Sequence, residues 1–294
     1  KLLTKNQIGV MYMIASVISF SIMDICVKWL DYYPIGQVLF LRFFIGFIPI
    51  FFIIPRERLF DFYKTSRPGL HAFRAICGAL AIIALFFGLR ELPLADVVSL
   101  TFGGPIFVTV ASIFFLSERV GIKRWSAVVI GFIGMLLIVQ PAFIDLNYYY
   151  ITPIVFCIFF ACVAISVRSL SKTEANYTIA FYFTFLCTLL GLGSIFFVEW
   201  KMPTLIDFII FTVMGLCGSI ANLLLTQSYR LAEASLVTPI KYLSLVFAIV
   251  FGFLIWSEIP KILTLLGALL VIASSLIIFV RESQLKKQIV NPRA

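Results

Sequence analysis

The sequence predicts an all-α integral membrane protein, with ten transmembrane helices arranged as two inverted five-helix repeats. Three observations support this prediction: ten apolar runs of span length, an internal repeat with a shift of 140 residues, and an uneven distribution of basic residues between alternate loops. The composition agrees, because 62% of the residues are hydrophobic and 13% are charged. A soluble domain carries about twice that charged fraction.

The ten spans follow from length, since about 20 apolar residues cross the hydrocarbon core as a helix. They lie roughly at residues 8–30, 35–54, 70–89, 95–116, 124–140, 150–170, 178–198, 206–229, 235–256 and 262–280. Most connections have only a few residues, which leaves no room for a soluble catalytic domain. The longest, 55–69, is basic, and we interpret it as an orientation determinant, with lipid-headgroup or partner binding as the alternative.

The repeat is clearest in residues 91–118 and 231–258, which align without a gap and both end in Ser-Glu. The register extends to the first helix, where Lys28 falls on Arg168. A repeat of this length determines the architecture.

The two repeats are expected at residues 1–144 and 145–294. Because each holds an odd number of spans, the second must enter the membrane from the opposite side, as in many secondary transporters.

The loop charges agree with ten spans. With the N-terminus inside, the opposite side receives only Lys28, Arg90, Lys201 and Lys261. The cytoplasmic segments collect Lys1, Lys5, Arg56, Arg58, Lys64, Arg67, Arg119, Lys123, Arg124, Arg168, Lys172, Arg230, Arg281, Lys286, Lys287 and Arg293. The positive-inside rule therefore places both termini in the cytoplasm, and the net charge of +9 reports orientation rather than nucleic-acid binding.

Three ionisable residues of the first two helices are candidates for a site. Asp24 and Lys28 are four residues apart, so they share a helix face and can pair. Asp24 and Arg42 both lie about 9–11 Å from the outer ends of their helices. Because the connecting loop is short, an Asp24–Arg42 contact is expected. The alternative is that these charges only neutralise each other and lock the helices.

The second half contributes a polar stripe and a deep lysine. The eighth helix carries polar residues at 3-4-4 spacing: Ser219, Asn222, Thr226 and Arg230. Lys241 follows Pro239 by two residues, and the sequence offers no acid at its depth. A charge at mid-membrane costs about 2.5–3.5 kcal/mol on insertion scales, so it must face the interior or a wet cavity. Tyr242 and Asn222 are expected nearby, where they would orient a substrate.

Two proline sites interrupt the helices at similar places in the halves, Pro105 after two glycines and Pro239. Such interruptions free backbone groups that line a cavity or act as a hinge. Other features have structural interpretations: Gly131 and Gly134 as helix-packing surfaces, His71 and Arg74 as interfacial groups, Glu118 and Glu258 as helix-end residues, and six cysteines as packing residues without a metal or disulfide.

At these residues the chain resembles the drug/metabolite transporter superfamily, in its EamA-type branch of ten-helix bacterial carriers. The resemblance rests on Asp24-x-x-x-Lys28 followed by Leu41-Arg42-Phe43, on the repeated Ser-Glu helix ends, and on the glycine-containing segment 125–139. It covers essentially the whole chain. It implies a multi-pass carrier of the bacterial inner membrane that works by alternating access.

The resemblance leaves the substrate open. Residues 65–68 with His71, Arg74 and Lys241-Tyr242 are similar to a subgroup of S-adenosylmethionine carriers. That subgroup has Arg-Tyr at the last pair and a glutamate where this chain has Ser244, so a cationic substrate fits less well here. Riboflavin and amino-acid carriers are resembled almost as closely. The expected substrate is therefore a small organic metabolite, bound by Asp24, Lys28, Arg42, Asn222, Lys241 and Tyr242.

The chain is not expected to be an enzyme or an ATP-driven pump. It has no P-loop, no H-E-x-x-H motif and no pair of deep carboxylates, and no cofactor is implied. Ion coupling or exchange remains, with Asp24 as the deep carboxylate for a proton. The expected partners are the substrate, the bilayer, and a proton or exchanged substrate, with a homodimer left open. The alternatives are a drug or amino-acid exporter of the same fold, or a structural or regulatory membrane protein.

Overall fold

The computed structural model of the protein describes residues 5–54, 57, 61, 63–116, 122–145, 147–170, 172–232 and 238–290. Within these ranges the regular elements are helical and no β-strand occurs, which confirms the all-α prediction. The helices are α1 (Lys5–Trp29), α2 (Ile35–Phe51), α3 (Pro68–Glu91), α4 (Leu94–Thr101), α5 (Gly104–Leu116), α6 (Ile122–Asp145), α7 (Ile151–Leu170), α8 (Asn176–Gly193), α9 (Leu205–Leu231), α10 (Leu243–Trp256) and α11 (Ile262–Val290). Short 3-10 turns cover Tyr148–Tyr150, Ser194–Phe196 and Thr238–Tyr242.

The helices have the length and surface of membrane spans. Among the described residues, seven helical segments are long and apolar enough to cross a bilayer, and three shorter apolar helices cover Ile35–Phe51, Trp125–Val139 and Ile240–Trp256. Large apolar side chains such as Phe52, Phe197 and Leu254 are exposed on the outside of the bundle. An apolar surface of this extent is typical of contact with lipid, and the protein is a multi-pass membrane protein.

Prolines set several helix starts. Pro34 and Pro93 directly precede α2 and α4, and Pro68 is the first residue of α3. A helix start tolerates proline because the N–H that proline lacks has no partner there in any helix. The α1–α2 and α3–α4 connections are therefore tight, which places the ends of these helices close together.

The fourth span is broken between α4 and α5, where the sequence places Pro105. Proline has no N–H to donate, so carbonyl groups in the preceding turn need other partners. The carbonyl of Thr101, which loses its helical donor at Pro105, lies 3.8 Å from Sγ of Cys157, and the neighbouring carbonyl of Phe102 accepts from Oγ of Ser275 at 2.8 Å. Side chains of α11 and α7 thus satisfy the backbone at the break.

The contacts between helices follow the internal repeat: a contact between two helices recurs between their counterparts in the other halves. Helix α1 packs along α9, and α7, its counterpart in the second half, packs along α3, the counterpart of α9. The α2–α9 contact is matched by the α8–α3 contact, whereas α2–α8 and α6–α11 pair counterparts directly. This is the pattern that a two-fold relation between the halves produces.

The α6–α11 contact depends on facing glycines. A Cβ added to Gly134 would lie 2.7 Å from the carbonyl oxygen of Gly267, and one added to Gly267 would lie 2.5 Å from that of Gly134. Small residues let helix backbones approach this closely. The packing role expected for Gly134 therefore has a specific partner.

Candidate functional site

Asp24 lines a narrow cleft between α1, α4 and α10, which in this conformation has no room for a water molecule. The cleft is lined by Ser21, Asp24, Leu94, Val98, Ser244, Phe247, Ala248 and Phe251. Among the described residues, no hydrogen bond or ion pair ties down the Asp24 carboxylate. This carboxylate therefore remains available to a proton or a ligand.

Arg42 lies close to Asp24 but does not pair with it directly. Its Nε and Nη2 atoms are 3.3 Å from Sδ of Met23, and its guanidinium carbon is 4.4 Å from the centre of the Phe43 ring. The charges of Arg42 and Asp24 interact, yet no ion pair within 4.0 Å joins them. The expected direct contact is therefore absent, and the two charges interact only over a longer distance. The close neighbours of the Arg42 guanidinium are the thioether of Met23 and the ring of Phe43.

Lys28 pairs with Glu258 rather than with Asp24. Its buried Nζ donates to Oε1 of Glu258 at 2.5 Å and to the Leu92 carbonyl at 2.6 Å. The other carboxylate oxygen of Glu258 accepts from the Leu94 backbone N–H at 2.8 Å. We call these four residues the latch, because they join α1 to the start of α4 and to the segment that follows α10.

Asn222 lies on an exposed part of α9. Its Nδ2 donates to the Gly218 carbonyl at 2.9 Å, one turn back along the same helix. Ser219 turns towards α2, where Oγ donates to the Gly46 carbonyl at 2.9 Å, while Thr226 is exposed like Asn222. One residue of the polar stripe, Ser219, therefore contacts a neighbouring helix, while Asn222 and Thr226 lie on an exposed face. The side chain of Arg230 is not among those that the structure describes.

Lys241 and Tyr242 end the 3-10 turn that leads into α10, and both are half-buried. Each of them has an interaction partner. The Tyr242 ring packs edge-on against Phe102, with ring centres 4.9 Å apart. Phe102 and Tyr242 are 140 residues apart, so they are equivalent positions of the repeat, and their contact brings the two helix interruptions together.

Two buried carboxylates at the helix starts were not predicted from the sequence as parts of any cluster. Asp207 accepts from Tyr32, Tyr33 and Thr204, and the hydrogen bond to Asp207 raises the pKa of Tyr32 to about 12. Asp96 accepts from Tyr150 and from Thr264 beside a recess of about 200 Å³.

These two clusters tie together the same end of the bundle that holds the latch. Thr204, three residues before Asp207, is a local helix cap that the sequence could indicate. The other partners, Tyr32, Tyr33, Tyr150 and Thr264, come from distant segments, and no local sequence signal marks them.

His71, interpreted from the sequence as an interfacial group, is packed inside the bundle, and its depth in the membrane stays a prediction. His71 is only 1% exposed, and its ring lies 4.6 Å from that of Tyr182. Arg74, one turn further along α3, is half-buried with its guanidinium 3.8 Å from the centre of the Phe183 ring. Both residues pack against α8 rather than facing the surface.

The fold and the site together define a class of protein: a helical, multi-pass membrane transporter built from two related halves. The model of the EamA-like transporter family matches residues 7–140 and 147–280, and the chain belongs to this family. The two matches begin 140 residues apart, the same shift as the internal repeat. The resemblance to this family seen in the sequence is confirmed.

Curated relatives align over nearly the full length. A riboflavin transporter of Rhizobium johnstonii is 27% identical over 97% of this chain and 94% of its own. An S-adenosylmethionine uptake transporter of Rickettsia bellii is 26% identical over 95% of each chain, and the pseudopaline exporter CntI of Pseudomonas aeruginosa is 27% identical over 90% of this chain and 94% of its own. One solved crystal structure covers 94% of this chain and 98% of its own at 14% identity, with a TM-score of 0.64, and it shows the same fold.

Proposed function

We propose that the protein is a secondary transporter that moves a small organic metabolite across the bacterial inner membrane by alternating access. Ten spans, divided into inverted repeats at residues 1–144 and 145–294, give two halves that can rock against each other. Membership of the family supports this, as do relatives named as transporters that align over at least 94% of both chains. The exchange of helix contacts between the halves supports the division.

The observation that carries the proposal is the meeting of two helix interruptions beside an uncommitted carboxylate. Irregular backbone inside a membrane is tolerated where it is buried or lines a cavity. Phe102 and Tyr242 bring the two interruptions into contact, and Ser244, two residues further, lines the same cleft as Asp24. A substrate site between the halves would use these elements.

The residues of the proposed site have different roles. Asp24 carries the coupling proton or cation, and Arg42 sets the electrostatic potential around it. Lys241 meets an electron-rich group of the substrate, while Tyr242 and Asn222 orient it. Lys28 belongs to this site only when its bond to Glu258 opens.

The latch fits the alternating-access proposal. It closes one end of the bundle by joining α1 to α4 and α10, and Asp24 lies one helical turn from Lys28. Opening a path from that end to the cleft requires α10 to move relative to α1, which breaks the Lys28–Glu258 bond. The described conformation is thus closed at the latch end.

Small organic metabolites are the proposed substrate class. The relatives include proteins named for riboflavin, S-adenosylmethionine and pseudopaline, which share no single chemistry. Ser244 lies with Asp24 in the cleft, so this cleft holds a single carboxylate. A first panel should therefore contain these compounds and amino acids, narrowed by growth rescue of auxotrophs.

Flux through the purified protein tests the proposal. The protein is reconstituted into proteoliposomes, and each radiolabelled candidate is offered with an inward, an outward and no proton gradient. Saturable flux of a chemically unchanged compound is expected, and the effective gradient reports direction and coupling. No flux and no ligand-induced thermal stabilisation with any compound would favour a structural or regulatory protein, and a chemically altered product would indicate an enzyme.

A further inference from the structure

Two side chains of α3 hold buried polar atoms that make no hydrogen bond. Both ring nitrogens of His71 and the Nε and Nη1 atoms of Arg74 are in this state, and these are four of the five such atoms in the part of the chain that the structure describes. The two residues are three positions apart, so they lie on one face of the helix. Native proteins pair nearly all buried polar groups, so this concentration points to a ligand that the two side chains bind.

The aromatic rings of α8 cover the faces of this pair of side chains. Phe183 covers the face of the Arg74 guanidinium at 3.8 Å, and Tyr182 covers the His71 ring at 4.6 Å. Stacking on a ring uses the face of the guanidinium and leaves its N–H donors, which point outward in the plane, free to donate. The arrangement orients donors without using them.

No carboxylate of the described residues neutralises Arg74. The ion pairs there join Lys28 to Glu258 and Lys64 to Asp61. The charge of Glu174 reaches His71, but Oε1 of Glu174 accepts from Thr65 at 2.8 Å and from the Ser66 backbone N–H at 3.2 Å. Burial raises the pKa of Glu174, and hydrogen bonds from Thr65 and Ser66 outweigh it, so the pKa lies below its ordinary value. Glu174 is thus an anion that already has its own donors.

We propose that His71 and Arg74 form a binding site for an oxyanion, a carboxylate or a phosphate group, between α3 and α8. A planar guanidinium offers two parallel donors that match such a group, and the imidazole adds a third contact. Arg74 is six residues into α3, about 9 Å from the helix start. Both a lipid phosphate and the anionic group of a transported metabolite can reach that depth, and the second source rests on the proposed function.

Thermal unfolding of the purified protein in neutral detergent tests the site without any transport. The unfolding midpoint is measured at constant ionic strength against inorganic phosphate, acetate, and phosphatidylglycerol in mixed micelles. The Arg74→Gln variant removes the charge and the fork. The matched control is Lys172→Gln, which removes an exposed cation at the α7–α8 connection. His71→Phe keeps the ring against Tyr182 and removes both nitrogens.

A saturable rise in the midpoint of the parent protein is expected with at least one probe. Arg74→Gln should raise the half-saturating concentration about tenfold or more, because a charged hydrogen-bonded pair is lost, whereas Lys172→Gln should leave it unchanged. A response to phosphatidylglycerol alone identifies a lipid headgroup, and a response to soluble anions identifies a free ligand. Equal responses in the parent, Arg74→Gln and His71→Phe proteins would overturn the site.

Two further readouts keep the test decisive. If Arg74→Gln does not purify as a folded protein, Arg74→Lys and His71→Phe take its place, since the first keeps the charge without the planar fork. If both of these variants respond to the probes with the same half-saturating concentrations as the parent protein, the site is overturned. If the protein shows no flux but its midpoint shift depends on Arg74, the proposed function is excluded and the site is kept. If it shows flux but its midpoint shift does not depend on Arg74, the proposed function is kept and the site is excluded.

Discussion

At the scale of single residues, the ionisable groups within the helices differ in how the fold stabilises them. Lys28 has a carboxylate and a carbonyl oxygen as acceptors, and Arg42 has an aromatic face and a thioether. Asp24 has neither a hydrogen bond nor an ion pair among the described residues. A charge without a close partner is expensive in a dry interior, and a proton or a ligand can supply the missing interaction. This difference is why Asp24 is the proposed coupling residue.

Replacing Asp24 with Asn should abolish proton-coupled uptake and spare substrate exchange. The amide keeps the size of the side chain and cannot bind a coupling proton as a carboxylate does. Uptake driven by a pH gradient and counterflow without a gradient are measured in the same proteoliposomes. Asp31→Asn, at an exposed position on the loop after α1, is the matched control and should behave as the parent protein. Parent-like coupled uptake by the Asp24→Asn protein at every pH would contradict the coupling role.

Replacing Lys241 separates a substrate contact from a packing charge. Lys241→Ala should weaken substrate binding by about tenfold or more while the protein still inserts and folds. Lys241→Arg should keep partial activity, because it retains the charge in a planar group. In Lys241→Met, the length is kept and no charge is buried, so unchanged or higher thermal stability with lost transport indicates a substrate contact. Normal transport by the Met variant would show that Lys241 only packs the helix.

At the scale of helices, the interruptions and the latch determine which segments can move. The break at Phe102 is buttressed by Ser275, and the turn before α10 contacts that break through Tyr242. The latch joins α1 to the segment after α10 through Lys28 and Glu258, and Glu258 also accepts from Leu94 at the start of α4. Both contacts lie at the ends of α10, through Tyr242 directly before it and Glu258 two residues after it. Movement of α10 would therefore affect the cleft and the latch together.

The two charged residues of the latch, Lys28 and Glu258, should stabilise the protein measurably, and their contributions should be coupled. Lys28→Met or Glu258→Gln alone should lower the free energy of unfolding by about 1.5–3 kcal/mol, since each leaves a buried partner unsatisfied. The double variant should be less destabilised than the sum of the two. A double-mutant cycle from thermal unfolding in detergent measures the coupling energy.

The matched control for this cycle is the Lys64–Asp61 pair at 2.6 Å, whose side chains are 67% and 48% exposed. Exposed pairs couple by about 0.2–1 kcal/mol. If Lys28 and Glu258 couple no more strongly than this pair, the latch does not hold the closed end.

At the scale of the whole molecule, an odd number of spans in each repeat predicts a specific topology. Reporter fusions after Gln140 and after Val280 should map to opposite sides of the membrane, with the second in the cytoplasm, because an odd number of spans separates the two points. Alkaline phosphatase and green fluorescent protein fusions measure this, with expression level as the control. Signals from the same side would exclude inverted five-helix repeats.

Much of the fold follows from the sequence, because bilayer thickness and the need to satisfy the backbone act on each segment separately. Apolar runs of span length predict the helices, and Pro105 predicts the break in the fourth span. The family follows from motifs such as Asp24-x-x-x-Lys28, and the family match confirms it. The count of ten spans and the domain boundaries stay predictions.

The site followed only partly, because side-chain partners depend on how distant helices dock. Four-residue spacing makes Lys28 a neighbour of Asp24, yet Lys28 pairs with Glu258, which is 230 residues away in the sequence. The sequence shows only that His71 lies near a helix start, and the structure adds that α8 covers its ring. Sequence determines which residues are polar and at what depth they lie, since rise per residue is fixed. Only the tertiary structure decides which charges are neutralised, because helix rotation and docking set the distances on which electrostatic interactions depend.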